Sequence, residues 1–354
     1  MKILFRADGA PEMGTGHLSR CMALAHALRN RGHQILFLVM DHPGNFSQIL
    51  KDQGFDFELI PQFKNYKKPV TGIENTWLGN ELQDEISFSS QVIKKFNPAY
   101  VVVDHYDIDY RWQKAVKAPG IKIFVIDDLA NRQHDCEFLL DQTLGRIRKD
   151  YENLIPKNSQ TLLGTEFALL REEFSDRPDG RSFEDVKNIF VSMGGSDPRG
   201  ITLQILKGLE KVTKPLDIDV ILKQDSRGFQ EVKEIEAKSH HKIRVIKDAK
   251  RMSELMKHAD IAFGAGGSSA WERCSMALPT LTILVADNQK KVISELSSYG
   301  AIINLGPYEN VTPELVYESF AKIMTDPGKL LEMSEKARTL CDGKGCERVS
   351  DFFR

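Results

Sequence analysis

The chain repeats one pattern twice: a short apolar run, a segment with helical spacing, and then another apolar run. This order requires parallel strands, because each helix carries the chain back across the sheet before the next strand begins. In the first half, strands are predicted at 2–6, 34–39, 55–60, 100–103, 121–126 and 138–140, and helices at 17–30, 46–53 and about 78–96. The pattern predicts an α/β domain with helices on both faces of a parallel sheet.

A stretch from about 145 to 185 interrupts this alternation. It combines Pro156, Asn158, Pro178 and Gly180 with many charges, which is typical of a segment that crosses between domains. The alternation then restarts, with strands predicted at 186–191, 218–222, 242–246, 261–263, 280–285 and 301–305, and helices at 202–209, 229–237, 252–258, 269–276, 290–299, 313–325 and 330–341.

We therefore predict two Rossmann-like domains, which agrees with a length of 354 residues. The predicted boundaries are an N-terminal domain at 1–150, an interdomain crossing at 151–185, a C-terminal domain at 186–310 and a helical tail at 311–354. Ligands of open α/β sheets bind at the carboxyl ends of the strands, so the loops there are the candidate sites.

Composition narrows the classes of partner. The chain has 48 Lys and Arg residues against 50 Asp and Glu residues, and this near-balance argues against a nucleic-acid-binding protein. No run approaches the ~20 apolar residues of a membrane helix, and a charge follows the first three apolar residues, which leaves no signal-peptide core. The five scattered cysteines are expected to be reduced thiols. We therefore expect a cytoplasmic protein without a membrane or nucleic-acid partner, and a monomer unless a further interface exists.

The loop between the first strand and the first helix is the first candidate site. It reads RADGAPEMGTGH at 6–17, where Gly14 and Gly16 permit close approach of a ligand and the helix amides favour an anion. His17 lies in the first turn, where the helix dipole disfavours imidazolium, so a neutral ring would accept a proton. A capping or interdomain histidine is the alternative interpretation. The loop matches neither the dinucleotide fingerprint nor the P-loop.

Two glycine-rich loops of the second half precede helices. The loop SMGGSDP at 192–198 suits a diphosphate or a close domain contact, and the loop GAGGSSAWER at 264–273 offers amides and hydroxyls to a phosphate. Glu272, one turn further along, is placed to bind the two hydroxyls of a ribose. The alternative for this loop is a serine N-cap that Glu272 completes as a capping box.

Polar side chains follow three more predicted strands. Asn288 and Gln289 follow the strand at 280–285 and could bind sugar hydroxyls or N-acetyl groups, and Tyr106 follows the strand at 100–103. Asp127 and Asp128 resemble a metal-binding pair, but adjacent residues at a strand end point to opposite sides. We therefore expect no metal there.

Several segments together carry a resemblance to known enzymes. They are Arg6-x-Asp8, GTGHLxRC at 14–21, DDLA at 127–130, GGSDP at 194–198, GxSxxWERC at 266–274, and Asn288-Gln289. The chain resembles the GT-B architecture, the peptidoglycan N-acetylglucosaminyltransferase group within it, and most closely the UDP-2,4-diacetamido-2,4,6-trideoxy-β-L-altropyranose hydrolases of pseudaminic acid biosynthesis. The resemblance runs from Lys2 to about Gly306.

The resemblance implies hydrolysis of the sugar–diphosphate bond at the anomeric carbon, with inversion, release of UDP, and no metal or cofactor. His17 would then be the general base, Tyr106 and Asn288 would position the sugar, and Glu272 would hold the ribose. The other substrate-binding residues implied are Arg6, Asp8, Gly14, Gly16, Gly194, Gly195, Ser196, Met252, Gly267, Ser268, Ser269 and Gln289. The UDP-sugar would bind in a cleft between the two domains.

Two other functions remain open. A glycosyltransferase would share the fold and the UDP site but transfer the sugar to an acceptor hydroxyl, and a nucleotide-sugar sensor would bind without reaction. The retained His17 argues against the sensor. An additional polar stretch at 62–77 and the helical tail distinguish this chain from the shortest members of the resembling family, so the amino sugar itself is left open.

Overall fold

The computed structural model describes residues 1–70, 76–194, 197–247, 249 and 251–354. The chain divides into two compact units: unit 1 comprises Met1–Arg171 and Lys344–Arg354, and unit 2 comprises Glu172–Gly343. Each unit contains a parallel β-sheet with helices between most of the successive strands. The prediction of two Rossmann-like halves is confirmed. In the described part of the chain, no helix is long and apolar enough to cross a membrane.

Within the described residues, unit 1 has a seven-stranded parallel sheet. Its strands are β1 (Lys2–Ala7), β2 (Gln34–Met40), β3 (Asp56–Ile60), β4 (Tyr100–Asp104), β5 (Lys122–Ile126), β6 (Phe138–Asp141) and β7 (Gln160–Leu163). Its first helices are α1 (Gly16–Asn30), α2 (Ser47–Asp52), α3 (Leu82–Phe96) and α4 (Tyr110–Val116), with 3-10 helices at Arg148–Tyr151 and Thr165–Phe167. The strand order is β3-β2-β1-β4-β5-β6-β7.

The strands at the centre of this sheet are continuous apolar runs because their side chains are buried. Phe5 of β1 lies opposite Phe37 of β2 and Val102 of β4, and all three side chains are buried. A strand covered by helices on both faces buries both sets of side chains. Because β1, β4 and β5 are neighbours, the loops that follow them emerge side by side at one edge of the sheet.

Unit 2 has, among its described residues, a six-stranded parallel sheet. Its strands are β8 (Asn188–Ser192), β9 (Asp217–Ile221), β10 (Lys242–Ile246), β11 (Ile261–Ala265), β12 (Thr280–Leu284) and β13 (Ile302–Pro307). Its helices are α5 (Ile201–Leu209), α6 (Phe229–Lys238), α7 (Met252–His258), α8 (Ser269–Ser275), α9 (Lys290–Tyr299), α10 (Pro313–Met324) and α11 (Pro327–Leu340), with 3-10 helices at Glu172–Phe174, Asp287–Gln289 and Tyr308–Asn310. The order β10-β9-β8-β11-β12-β13 makes β8, β11 and β12 neighbours.

The units end at residues that differ from the predicted boundaries. β7 lies inside the stretch predicted as a crossing, and it pairs with β6 through Leu162 opposite Leu140. The chain leaves unit 1 after Arg171. A four-residue strand is too short to give a recognisable period among the surrounding charges, so this element was not predicted.

The predicted tail also divides between the units. α10 packs against α5 and α11 packs against α8, so both helices are part of unit 2. A final helix, α12 (Gly345–Ser350), packs against α1 and belongs to unit 1. Neither α12 nor α4 was predicted.

Candidate active site

The histidine predicted as general base is held by an aspartate from the neighbouring strand. His17 Nδ1 lies 2.6 Å from Asp104 Oδ1. Asp104 ends β4 and pairs with Ala7 of β1, so the strand register places this carboxylate beside the loop that leads to His17. An ionised carboxylate only accepts hydrogen bonds, so Nδ1 carries the ring proton and Nε2 of the neutral ring is an acceptor.

Arg20 fixes the Asp104 carboxylate from its other side. Arg20 Nε and Nη2 each lie 2.6 Å from one of the carboxylate oxygens of Asp104. Burial would raise the pKa of Asp104, but the charges and hydrogen bonds of Arg20 and His17 outweigh it and hold that pKa below its usual range. His17 and Arg20 are three residues apart on α1 and therefore share a face of the helix. Asp104 thus stays ionised and sets the orientation of the His17 ring.

A second branch of this network reaches Tyr106. Arg20 Nη1 lies 2.7 Å from Asp128 Oδ2, and the charge of Asp128 acts on the nearby Tyr106 hydroxyl. Burial and the charge of Asp128 raise the pKa of Tyr106 well above its ordinary value, so the hydroxyl stays protonated. Asp127 instead accepts a hydrogen bond from Tyr151. The two adjacent carboxylates therefore bind different partners.

Two aromatic rings lie beside the histidine. The Tyr106 ring meets His17 edge-on with 4.5 Å between centroids, and Trp77 stacks on Tyr106 at 5.2 Å. The Asp107 carboxylate accepts hydrogen bonds from the backbone N–H groups of Trp77 and Leu78, at 2.6 and 2.9 Å. The C-terminal end of the polar stretch at 62–77 is therefore hydrogen-bonded to the loop that carries Tyr106. Residues 71–75 of that stretch lie outside the described residues.

Two residues predicted to bind substrate face the interior of unit 1. Arg6 and Asp8 are fully buried and lie 2.5 Å apart, and Arg6 also pairs with Glu85 at 2.8 Å. Asp8 accepts a hydrogen bond from the backbone N–H of Met40 and lies 3.2 Å from His105 Nε2. In this structure both side chains support the loop from beneath, because their polar atoms are directed to protein partners.

The loop glycines of unit 1 lie at the start of α1. Gly14 is exposed and has φ of +78°, a conformation that a side chain would strain. Gly16 is half-buried and begins the helix, and Thr15 at the N-cap forms no side-chain capping bond among the described residues. His17 is therefore not a capping residue; its ring belongs to the Asp104 network.

In unit 2 the glycine-rich loop after β11 contacts the loop after β12. The backbone N–H of Gly266 donates to Gln289 Oε1 at 3.2 Å, and a Cβ at Gly266 would overlap Ile293. Gln289 Oε1 is therefore occupied by the protein, which leaves its NH₂ group, near Gly267, for any ligand. Asn288 is exposed in the adjoining 3-10 helix.

The capping box proposed as an alternative for this loop does not form. Ser268 occupies the N-cap of α8, yet within the described chain its side chain makes no capping hydrogen bond. Ser269 Oγ accepts a hydrogen bond from Arg273 Nη1 at 3.1 Å. Glu272 lies in the first turn of α8 and is half-buried. The serines therefore have no capping role that competes with a ligand.

The remaining residues predicted in unit 2 are more dispersed. Gly194 is exposed with φ of +100°, whereas Gly195 and Ser196 lie outside the described residues. The Asp197 carboxylate accepts hydrogen bonds from the backbone N–H groups at the start of α5, at 3.0 and 2.8 Å. Met252 begins α7, which follows the edge strand β10 rather than the neighbouring strands β8, β11 and β12.

One group of potential metal ligands occurs among the described residues, and it lies away from these loops. It consists of Glu210, His240 and His241. His241 Nδ1 and Nε2 are both in hydrogen bonds to the backbone, and His240 Nε2 bonds the carbonyl of Val212. These histidines already have protein partners, and the group carries no functional assignment.

Sequence reasoning missed the residues that orient the predicted base. Asp104, Arg20 and Trp77 were not among the predicted site residues, although Arg20 lies in a quoted motif. The available indication for Asp104 was its position at the carboxyl end of an apolar strand next to β1. Its pairing with His17 spans 87 positions and became visible only through the strand order.

Comparison with known proteins supports the fold and an enzyme that acts on nucleotide sugars. Residues 188–348 match the glycosyltransferase family 28 C-terminal domain. The spore coat polysaccharide biosynthesis protein SpsG of Bacillus subtilis is 25% identical, over 98% of this chain and 96% of the relative. The UDP-2,4-diacetamido-2,4,6-trideoxy-β-L-altropyranose hydrolase of Campylobacter jejuni is 27% identical, over 85% of this chain and 97% of the relative.

Solved structures share the architecture at low sequence identity. MurG of Acinetobacter baumannii has a TM-score of 0.69 and 17% identity, covering 99% of this chain and 98% of MurG. The UDP-GlcNAc 2-epimerase of Neisseria meningitidis, bound to UDP-GlcNAc, has a TM-score of 0.61 and 15% identity, covering 99% of each chain. This chain therefore has the GT-B fold, and it is similar in sequence to the altropyranose hydrolase over most of its length.

Proposed function

We propose that this chain hydrolyses a UDP-linked 2,4-diacetamido-2,4,6-trideoxy sugar in nonulosonic (pseudaminic) acid biosynthesis. The names of its sequence relatives support an enzyme of nucleotide-sugar metabolism. A reaction assisted by a general base is supported by one observation: His17 Nδ1 is held by Asp104 at 2.6 Å, so that Nε2 can accept a proton. Within the described residues, Nε2 has no hydrogen-bond partner of its own. Hydrolysis is preferred to transfer because of the similarity to the altropyranose hydrolase.

The proposed reaction needs only this base and a bound water. Water attacks the anomeric carbon from the face opposite UDP, the bond from that carbon to the phosphate oxygen breaks, and its electrons leave with UDP. The proton released by water passes to His17 Nε2, and Asp104 stabilises the resulting imidazolium. The products are UDP and the free sugar of inverted anomeric configuration, and a positioned base typically contributes about 10²–10⁴-fold.

The other residues have binding roles in this proposal. Tyr106, kept protonated by burial and Asp128, donates a hydrogen bond to the sugar, and Asn288 binds an acetamido group. The loop at 264–269 and the loop that contains Gly194 hold the diphosphate. Backbone N–H groups and serine hydroxyls there stabilise the charge that develops on UDP. Glu272 accepts hydrogen bonds from the ribose hydroxyls.

A glycosyltransferase is the second candidate. The match of residues 188–348 to a glycosyltransferase family 28 domain favours it, because that domain is named for transfer rather than hydrolysis. In that reaction an acceptor hydroxyl replaces water, and His17 would deprotonate the acceptor. The two functions differ in one measurable respect: only the hydrolase releases UDP at a useful rate without an acceptor.

The deciding experiment measures UDP release from UDP-2,4-diacetamido-2,4,6-trideoxy-β-L-altrose, without acceptor and with EDTA present. We expect rapid release by the wild-type protein and a loss of about 10²–10⁴-fold in His17→Gln. His26→Gln is the matched control, because His26 lies on the same helix α1 but hydrogen-bonds Gln53 instead of Asp104. UDP binding by each variant is measured in parallel.

The outcomes separate the candidates. Release that requires an added acceptor would favour the transferase, and release abolished by EDTA would contradict the metal-free mechanism. Equal rates for wild type and His17→Gln would exclude His17 as the base.

A further inference from the structure

An arginine lies directly beneath the glycine-rich loop of unit 2. Arg273 is 1% exposed, although it belongs to a helix that begins at that loop. Its Nη2 donates to the Ala265 carbonyl at 2.6 Å and its Nη1 donates to Ser269 Oγ at 3.1 Å. A Cβ at Gly264 would overlap this guanidinium, so the glycine provides its space. The loop is therefore built around the arginine.

The charge of this guanidinium is not neutralised by an ion pair. Among the described residues, no carboxylate lies within salt-bridge distance of Arg273, and its Nε has no hydrogen-bond partner. Burial lowers the pKa of Arg273 to about 10, which leaves it protonated at neutral pH. A buried cation is costly unless an opposite charge compensates it. The Glu272 carboxylate acts on Arg273 without forming an ion pair with it, and burial still outweighs that attraction. This incomplete compensation favours an anion at the loop.

The two hydrogen bonds also change what the loop presents to a ligand. The Ala265 carbonyl, which would repel a phosphate, is occupied by Arg273. Ser269 Oγ accepts a hydrogen bond from Arg273, so its own hydroxyl hydrogen must point elsewhere and can be donated. Ser269 is half-buried, so this donor is accessible from the loop surface.

We propose that Arg273 is a positioning residue that makes the loop at 264–269 selective for the diphosphate of the nucleotide. It does so without touching the ligand: it supplies a positive charge that no ion pair neutralises, occupies a carbonyl and orients the Ser269 hydroxyl as a donor. This inference rests on the proposed function, because it takes the diphosphate of a UDP-sugar as the anion.

The test compares ligands that differ in phosphate content. Dissociation constants for UDP and UMP are measured by calorimetry and for uridine by NMR titration, for wild type, Arg273→Gln and Arg273→Lys. We expect Arg273→Gln to weaken UDP binding by about 10- to 100-fold, because the variant loses the positive charge and the hydrogen bonds that prepare the loop for the charged diphosphate. Uridine has no phosphate, so its binding should stay within about twofold. Arg273→Lys, which keeps the charge, should recover part of the UDP affinity.

Arg181→Gln is the matched control for a purely structural role. Arg181 is also a largely buried arginine of unit 2, but its guanidinium donates to the backbone carbonyls of Met256, Ala259 and Met276. We expect Arg181→Gln to lower thermal stability without changing the ratio of UDP to uridine affinity. If Arg273→Gln does not fold, Ser269→Ala tests the oriented hydroxyl, with an expected loss of about tenfold for UDP alone.

Equal losses for UDP and uridine in Arg273→Gln, or no loss in both Arg273→Gln and Ser269→Ala, would overturn the inference while leaving the proposed function intact. Absence of UDP binding by the wild-type protein would instead contradict the proposed function.

Discussion

The candidate sites of the two units manage buried charge in opposite ways. In unit 1, Asp104 is held between His17 and Arg20, and Arg20 continues to Asp128, so that each buried charge has a partner of opposite sign. In unit 2, Arg273 bonds only a carbonyl and a hydroxyl. A paired network fixes where a proton resides, which suits a reacting group, whereas an unpaired cation beneath a glycine-rich loop creates an attraction for an anion.

The difference teaches which kinetic parameter each unit should control. Substitutions in the network of unit 1 should mainly change kcat, because they disturb the base. Substitutions that remove the proposed ribose contacts of unit 2 should mainly change KM or the affinity for UDP, because substrate and transition state share those contacts. Loss of the groups proposed to stabilise the charge on UDP should lower kcat as well.

The largest expected effect is a loss of folding stability in mild acid, which we assign to a buried histidine of unit 1. Burial lowers the pKa of His134 in unit 1 to about 4, and its Nδ1 accepts a hydrogen bond from Gln113. The unfolded chain protonates this histidine below about pH 6.5, while the folded protein does not until about pH 4. Stability should therefore fall by about 3 kcal/mol as the pH decreases from about 6.5 to about 4.

The measurement is the free energy of unfolding against pH for wild type and His134→Asn. The variant should lose most of the pH dependence in this window, since asparagine keeps an acceptor for Gln113 but does not titrate. An identical slope in both proteins would assign the pH dependence to other groups.

The next effect concerns the residue that orients the base. Asp104→Asn removes the charge that holds His17 Nδ1–H, so kcat for UDP release should fall by about 10- to 100-fold while KM stays within about twofold. Asp56→Asn, at an exposed position of the edge strand β3, is the control and should leave both parameters unchanged. A rise in KM with unchanged kcat would show that Asp104 contributes to substrate binding, and it would contradict the assignment of kcat to unit 1.

The smallest effect is expected at Glu272. If Glu272 binds the ribose as proposed, Glu272→Gln should raise KM and the dissociation constant of UDP by about tenfold, with kcat nearly unchanged, because a charge-assisted hydrogen bond is weakened. Measuring 2′-deoxy-UDP beside UDP isolates the contact: the wild-type preference for UDP should largely disappear in the variant. A preference that persists in Glu272→Gln would show that another group binds the ribose.

Local periodicity predicted most of the fold because helices and buried strands repeat at short range. The helix predicted at 290–299 and the strand predicted at 242–246 coincide with α9 and β10. Other short elements, such as β7 and α4, were missed, although β10 and α7 are similarly short. β7 lies among charged residues and prolines, which predicted an irregular segment. The predicted boundaries were displaced for the same reason.

For the candidate site, the sequence predicted residues within single loops but not the contacts between loops. The start of α1 identified His17, and the glycines at 264–267 identified a loop near which a ligand could lie. The burial of Arg6 and Asp8 was not predicted, because a polar residue at a strand end gives no indication of which direction its side chain faces. The Trp77 ring beside His17 lay in a stretch with no recognisable motif.

The sequence by itself determined the alternation of strands and helices, the two Rossmann-like halves and the position of His17, the proposed base, at a helix start. Only the tertiary structure decided which carboxylate holds His17 and that Arg273 lies buried without an ion pair among the described residues. The physical reason is distance along the chain. Hydrophobic periodicity acts between residues a few positions apart, whereas charges separated by 84 or 87 residues meet only after the sheet has set the order of its strands.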